Sequence, residues 1–188
     1  LLDLFFSQSL DGFYIAIADH PIRWDDTVDK EAAVEDFLDH MRIQRVNAAM
    51  LAQYQAVESD FLGKPIRTFF SHDLDSARIS IRKFLDTGRM QNEALEYKPD
   101  GTPIWIEGDY LCMYEEAGWI SGHFGIQHDV TERRMLETTL RENEERVRML
   151  FDAVNDAIFV HDLTTGQILD VNQKTLEMYG YTREEILQ

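Results

Sequence analysis

A mixed α+β domain is the architecture this sequence predicts, followed by a helical connector and the beginning of a second copy. Three observations carry this. Short apolar runs fall in the order strand, strand, helices, then three strands separated by turn signals. A capping motif then opens a stretch with heptad spacing. The start of the chain also recurs near its end.

The first two strands and their helices come from residues 12–87. Residues 12–18 form an aromatic-rich apolar run, predicted as a buried strand. Val34, Phe37, Leu38 and Met41 recur at helical spacing, so an amphipathic helix ends the segment 19–40. Met41–Val46 reads as a short strand. Asn47 is placed to cap a helix through Gln55, because its side chain can accept from a free backbone N–H. Residues 58–70 are broken at Gly63-Lys64-Pro65 and predict two short helical turns. Residues 72–87 have helical spacing through Leu74, Ile81 and Leu85 and stop at Gly88. Strands are expected over 91–97, 102–114 and 119–127. Pro99-Asp100-Gly101 is the strongest turn between them, since Gly supplies positive φ.

The connector begins at Asp129-Val130-Thr131-Glu132. This has capping-box form, with Asp129 at the N-cap and Glu132 at N3. Leu136, Leu140, Asn143, Val147, Leu150 and Val154 then recur at alternating spacings of four and three. That is a heptad seam, and the Arg and Glu residues between are its solvated faces. It predicts a coiled-coil dimer, and the competing reading is a helix packing its stripe on its own domain. A polar Asn143 in the seam costs stability but fixes register and strand number.

The repeat pairs Phe6 with Phe151, Asp11 with Asp156, and Phe13-Tyr14-Ile15 with Ile158-Phe159-Val160. Val46-Asn47 pairs with Val171-Asn172, Leu51 with Leu176 and Tyr54 with Tyr179. The first copy holds about 20 more residues between these blocks, and they are strongly acidic. The second copy breaks off early and is read as truncated.

Composition bounds the function. The formal net charge of −17 repels a phosphate backbone and disfavours an anionic membrane surface. Cys112 stands alone, which removes internal disulfides and thiolate-rich zinc sites and fits a reducing cytoplasm. No apolar run reaches bilayer length and no signal peptide is visible. A start at Leu1 rather than Met is expected of a piece of a longer protein.

Together the residues resemble the PAS superfamily in its sensory-box form with a C-terminal motif. Val46-Asn47-Ala48-Ala49-Met50-Leu51-Ala52-Gln53-Tyr54 looks like the family's strand-to-helix junction. The Pro99-Asp100-Gly101-Thr102-Pro103-Ile104-Trp105-Ile106-Glu107 run looks like its hairpin between the second and third sheet strands. Gly122 to Arg134, ending in Asp129-Val130-Thr131-Glu132-Arg133, looks like its last strand and D-I-T-E-R signature, with Val130 for the commoner Ile. The resemblance implies an α+β fold with a five-stranded antiparallel sheet and helices on one face. It also implies a sensor or dimerisation module in histidine kinases, diguanylate cyclases or phosphodiesterases. The acidic insert departs from the family's short turn, so no role is inherited for it.

The resemblance leaves the cofactor open between flavin, haem, small acids and none. The flavin–thiol subclass needs a G-x-N-C-R-F motif, but Gly63-Lys64-Pro65-Ile66-Arg67 stands here without Cys. Haem needs an axial ligand, and the helix after Leu74 has no His. His72 and His128 read as surface residues, Cys112 as a small buried hydrophobe. His20, His40, His123 and His161 show no spacing typical of a metal site, and no metal is expected. Asp25, Thr27 and Asp29 resemble a calcium loop faintly, but Lys30 replaces its Gly. A solvated, partly helical insert is preferred, with Trp24 an exposed anchor if it is not packed. Phe69, Phe84, Trp105, Tyr110 and Phe124 are candidates to line a pocket, and plain core is the competing reading. Gly122 and Gly125 would leave room for a ligand or relieve strand twist.

No phosphate loop, nucleophile elbow or H-E-x-x-H is present, so catalysis is expected outside this segment. The expected organisation is a sensor domain over 1–128, a connector over 129–154 and part of a second domain over 155–188. The expected function is a cytoplasmic module relaying a ligand, redox or partner signal through Asp129, Thr131 and Glu132 into a homodimeric helix. A downstream output domain would share the chain, with a small-molecule ligand possible and no nucleic-acid or membrane contact. The alternative is a constitutive dimerisation or docking module that binds no small molecule.

Overall fold

Alternating inward and outward residues build a five-stranded sheet, and Gly88, Gly101 and Gly118 turn the chain at positive φ before its last three strands. The computed structural model describes residues 2–71, 73–116 and 118–187. The chain divides into two units, residues 1–132 and 133–188.

The first unit opens with α1 (Leu2–Gln8), β1 (Gly12–Arg23), α2 (Lys30–His40), β2 (Met41–Val46) and α3 (Ala48–Tyr54). Two 3-10 turns, Glu58–Asp60 and Ile66–Phe70, lead to α4 (Leu74–Thr87). β3 (Arg89–Tyr97), β4 (Pro103–Glu116) and β5 (Trp119–Asp129) complete it. The sheet order is β2-β1-β5-β4-β3, and every neighbouring pair is antiparallel. Helices α2, α3 and α4 send Phe37, Tyr54 and Phe84 into one core with Tyr14, Ile106 and Tyr110 of the sheet. This is the expected α+β class, with five antiparallel strands and helices on one face.

Local chemistry sets the boundaries. Asn47 caps α3 by accepting from Met50 N at 2.9 Å. Asp73 caps α4 by accepting from Ser76 N, and Gly88 ends it at φ 70°. Gly101 turns the β3–β4 hairpin at φ 86°, with Asp100 accepting from Thr102 N. That hairpin joins the third and fourth strands of the chain, not the second and third.

β1 runs to Arg23, five residues beyond the expected end at Ala18. Its ladder with β5 breaks between Ile17 and Ile22 and then resumes. Pro21 sits in that break, where its missing N–H breaks no ladder bond. The polar Asp19-His20 pair and the proline disguise the strand in the sequence.

The insert is not merely solvated, because α2 is a wall of the core. Phe37 and Leu38 are buried, and the Phe37 ring meets Phe84 edge-on at 6.2 Å. The outer face of α2 is pinned by guanidinium groups: Arg67 Nη2 lies 2.5 Å and Arg78 Nε 2.6 Å from the Glu35 carboxylate. These two arginines hold the Glu35 carboxyl below its usual range. Trp24 is no exposed anchor either. Its ring packs on the core under Lys30, and its Nε1 donates to Asp86. Asp29 caps α2 and Asp25 accepts from Thr27, so local turns occupy the carboxylates of the supposed calcium loop.

The second unit holds α5 (Thr131–Ala153), which begins in the first unit, then β6 (Phe159–His161), β7 (Ile168–Val171), α6 (Gln173–Tyr179) and α7 (Arg183–Ile186). The repeat is structural. Asn47 accepts from Phe13 N and donates to Asp11 O, while Asn172 accepts from Ile158 N and donates to Asp156 O. One buried amide thus ties the start of β1 to the start of α3, and its counterpart ties the start of β6 to the start of α6.

Candidate ligand cavity and helix junction

Sheet and helices enclose a cavity of about 780 Å³. That lies within the usual size range for a small-molecule site. Phe37, Phe61, Phe69 and Phe84 supply aromatic walls from the helices and turns. Asn92, Glu96, Tyr110, His123 and Gln127 reach it from β3, β4 and β5.

Three of the five expected pocket residues, Phe69, Phe84 and Tyr110, line this space. Trp105 and Phe124 do not. Strand side chains alternate, and the inward positions are Ile104, Ile106 and Tyr110 on β4 and His123 and Gln127 on β5. Trp105 and Phe124 therefore stand on the opposite face, which is half-buried. Gly125 leaves room for protein and not for a ligand: a Cβ there would meet the Tyr14 and Tyr110 rings at 2.4 and 2.8 Å. At Gly122 a Cβ would meet the Ala16 carbonyl oxygen.

Polar groups inside the cavity are chained. Tyr54 Oη lies 2.5 Å from Glu96 Oε2 and 2.9 Å from Gln127 Oε1, and Gln127 Nε2 lies 3.0 Å from Tyr110 Oη. One hydroxyl hydrogen cannot serve two oxygen acceptors. Turning the Gln127 amide over resolves this: its NH₂ donates to Tyr54, its oxygen accepts from Tyr110, and Tyr54 donates to Glu96. Burial pushes the Tyr14, Tyr54 and Tyr110 hydroxyls above their usual range, so all three keep their protons.

His123 is the group the sequence hid. It is buried, stacked on Phe37 at 5.4 Å and edge-on to Phe84 at 5.7 Å. Its Nε2 lies 3.0 Å from Tyr14 Oη, and its Nδ1 finds no partner among the described residues. Burial pushes the imidazole down to about 3, so it is neutral at pH 7. Asn92 Oδ1 is also buried without a partner there. His128 is at the surface, beside Asp11. Cys112 is buried, which raises its thiol to about 12, as an inert small hydrophobe requires. His72 lies outside the described residues.

The junction is one strand away. α5 spans Thr131–Ala153, and the Asp129 carboxylate accepts from Thr131 N at 2.9 Å, the bond that an N-cap residue makes to the second residue after it. Thr131 Oγ1 accepts from Trp105 N at 2.8 Å, and Val130 N donates to Trp105 O at 2.9 Å. Trp105 thus clasps the start of the helix on both sides of its own backbone. Glu132 lies in the first turn, where a carboxylate suits the helix dipole. Farther along α5, Leu136, Leu140, Asn143, Val147 and Leu150 are all exposed in the single chain, the four apolar ones by 60% or more.

The family comparison matches this geometry. A profile described as PAS domain matches residues 13–132, and a second PAS domain profile matches residues 145–188. This chain belongs to the PAS-domain family. Curated relatives include the methyl sulfide methyltransferase-associated sensor of Methanosarcina acetivorans, 40% identical over 73 residues. That match covers 39% of this chain and 7% of the relative. Sporulation kinase E of Bacillus subtilis is 26% identical over 125 residues, covering 60% of this chain and 17% of the kinase. The bacterioopsin transcriptional activator of Halobacterium salinarum is 28% identical over 81 residues, 43% of this chain and 12% of that protein. The matched stretches cover less than a fifth of the length of each of these relatives. Among solved structures, the PAS domain of a Colwellia psychrerythraea protein superposes with a TM-score of 0.53 at 16% identity, over 70% of this chain and 95% of that one. An RNA-binding light-oxygen-voltage receptor gives 0.54 at 19% identity, over 79% and 37%. These likenesses establish the fold of the PAS domain here. No helix among the described residues is long and apolar enough to cross a membrane.

Proposed function

We propose that this PAS segment is a sensor that couples occupancy of its cavity to helix α5 in a homodimer. One observation carries the reading. β4 and β5 line the cavity through Tyr110, His123 and Gln127, and the same two strands hold the start of α5 through Trp105 and Asp129. A ligand that shifts these strands changes the strain on the first turn of the helix. Such a relay needs two states that the ligand favours unequally.

The cavity's chemistry suits a partly aromatic, uncharged molecule. Phenyl walls favour a flat apolar body. Asn92 Oδ1 asks for a hydrogen-bond donor, and the Glu96 carboxyl disfavours an anion. The exposed seam Leu136, Leu140, Asn143, Val147 and Leu150 supports dimerisation, with the polar asparagine setting register. We assign residues 1–128 to sensing, 129–154 to the connector and 155–188 to part of a second domain. The output is placed in the same protein, as a histidine kinase or diguanylate cyclase, in the cytoplasm, and this segment itself is assigned no catalysis. The relatives include a sensor and a kinase, which supports the signalling half of this reading.

The second reading, a constitutive docking module with no ligand, draws on the outer sheet face. Ile17 and Leu111 are exposed there, beside half-buried Trp105 and Phe124. Native mass spectrometry of the purified chain separates the two. The sensor predicts a dimer with extra mass that is lost on denaturation and lost again in Gln127→Leu. A bare dimer that stays bare when the chain is screened with small aromatic molecules establishes the docking module. A bare monomer overturns the seam.

A further inference from the structure

We infer that His20, Asp36 and His40 form a binding site for a divalent transition metal of the zinc class. The site lies on the acidic insert and does not rest on the sensor reading above.

The fold brings together residues that the sequence keeps 16 and 20 positions apart. His20 stands on the outer stretch of β1, where the ladder to β5 is broken. Asp36 and His40 are one turn apart on α2, so both side chains leave the helix on the same face. His20 Nε2 lies 3.1 Å from Asp36 Oδ2, and His40 Nδ1 lies 2.8 Å from Asp36 Oδ1. The two imidazole centroids are 4.9 Å apart. One ligand atom from each residue falls within 4.8 Å of the others.

These distances are close to what a metal needs. Tetrahedral zinc with bonds of about 2.0–2.1 Å sets its ligand atoms about 3.3 Å apart. Each imidazole nitrogen is already near that edge from one oxygen of Asp36, but from opposite oxygens, so the three ligand atoms must close from a spread of up to 4.8 Å by small side-chain rotations. The contact at His40 is also an unusual one. Its Nδ1 is buried and near the carboxylate, yet it makes no aligned hydrogen bond among the described residues.

Ligand type selects the metal. Two imidazoles and one carboxylate suit zinc and its neighbours, whereas calcium and magnesium ask for oxygen alone. Three protein ligands leave the fourth position to water. The other nearby carboxylates are engaged, since Asp19 pairs with Arg42 and Asp39 with Arg67. All three candidate side chains are partly exposed, which gives an ion an entry path. A bound ion would clamp α2 to β1. Phe37, which follows Asp36, stacks on His123, so the clamp acts on a wall of the cavity.

The test uses the whole chain without an affinity tag. Zn²⁺ is titrated against a chromophoric chelator, and Co²⁺ serves as a visible-absorption probe of coordination. The expected result is one saturable equivalent, tetrahedral-type cobalt bands and a rise in Tm with Zn²⁺. His20→Gln, a change at an exposed residue, should weaken binding at least tenfold and abolish the Tm rise. His20→Gln with His40→Gln should remove the equivalent. If the double variant unfolds, as its circular dichroism would show, the single variant decides. The assignment is overturned if no saturable equivalent appears, or if His20→Gln keeps both the affinity and the Tm rise.

Discussion

His123 and Asn47 show how much one buried polar side chain can set. His123 is held near 3 in the folded chain against about 6.5 when unfolded. Between those values only the unfolded chain binds the proton, so folding stability is full above pH 6.5 and is lost as pH falls toward 3. The slope approaches about 1.4 kcal/mol per pH unit. Urea midpoints at pH 7, 6 and 5 should therefore fall more steeply for the native chain than for His123→Phe. Between pH 7 and 5 the measurement stays above the carboxylate range, so Glu35 and Asp39 contribute little to it. Parallel pH profiles would show that His123 is not held neutral. Asn47 serves two donors and two acceptors: Phe13 N, Met50 N, Phe6 O and Asp11 O. Asn47→Ala should cost about 3 kcal/mol in denaturant unfolding, because each buried group left unpaired costs about 1–3 kcal/mol. A loss under about 1 kcal/mol would mean water replaces the amide.

At the scale of elements, α2 and α5 stand in opposite conditions. α2 is short and acidic, yet it is anchored by Phe37, which is 1% exposed. Phe37→Ala should cost about 3–5 kcal/mol, as expected for a buried phenyl ring that the core cannot refill. A chemical denaturation giving less than about 1 kcal/mol would return the insert to a surface decoration. α5 is long, and its apolar seam is uncovered in the single chain. Replacing the seam asparagine, Asn143→Leu, should tighten the dimer or change its stoichiometry in sedimentation equilibrium. An unchanged association constant would place Asn143 off the seam.

At the scale of the whole molecule, the two units should differ in stability. The first buries a continuous core of strands and helices. Among the described residues of the second, only Val171, Asn172 and Thr175 are fully buried, beneath a two-stranded sheet. Two strands alone are marginal in water. Hydrogen exchange on the intact chain should therefore protect β1, β4 and β5 most and release β6 and β7 far earlier. Equal protection would mean that the second unit gains cover from a partner.

The sequence alone determined the class, the element order, the strand and helix ends marked by Asn47, Gly88 and Gly101, and the repeat. Each follows from local rules: side-chain period, a cap that accepts one N–H, a glycine at positive φ. The face of the last strand was not legible, because β5 inverts the usual pattern. Its inward residues are His123, Gly125 and Gln127, while Phe124 and Ile126 look outward. Hydrophobicity alone therefore points to the wrong face of β5. Phe124 and Trp105 both stand outward by register, because their neighbours His123, Ile104 and Ile106 take the inward positions. The meeting of His20, Asp36 and His40 was equally out of reach. It depends on a strand running past a proline and on a helix returning beside it, and distances across such a fold are fixed by packing and not by spacing along the chain.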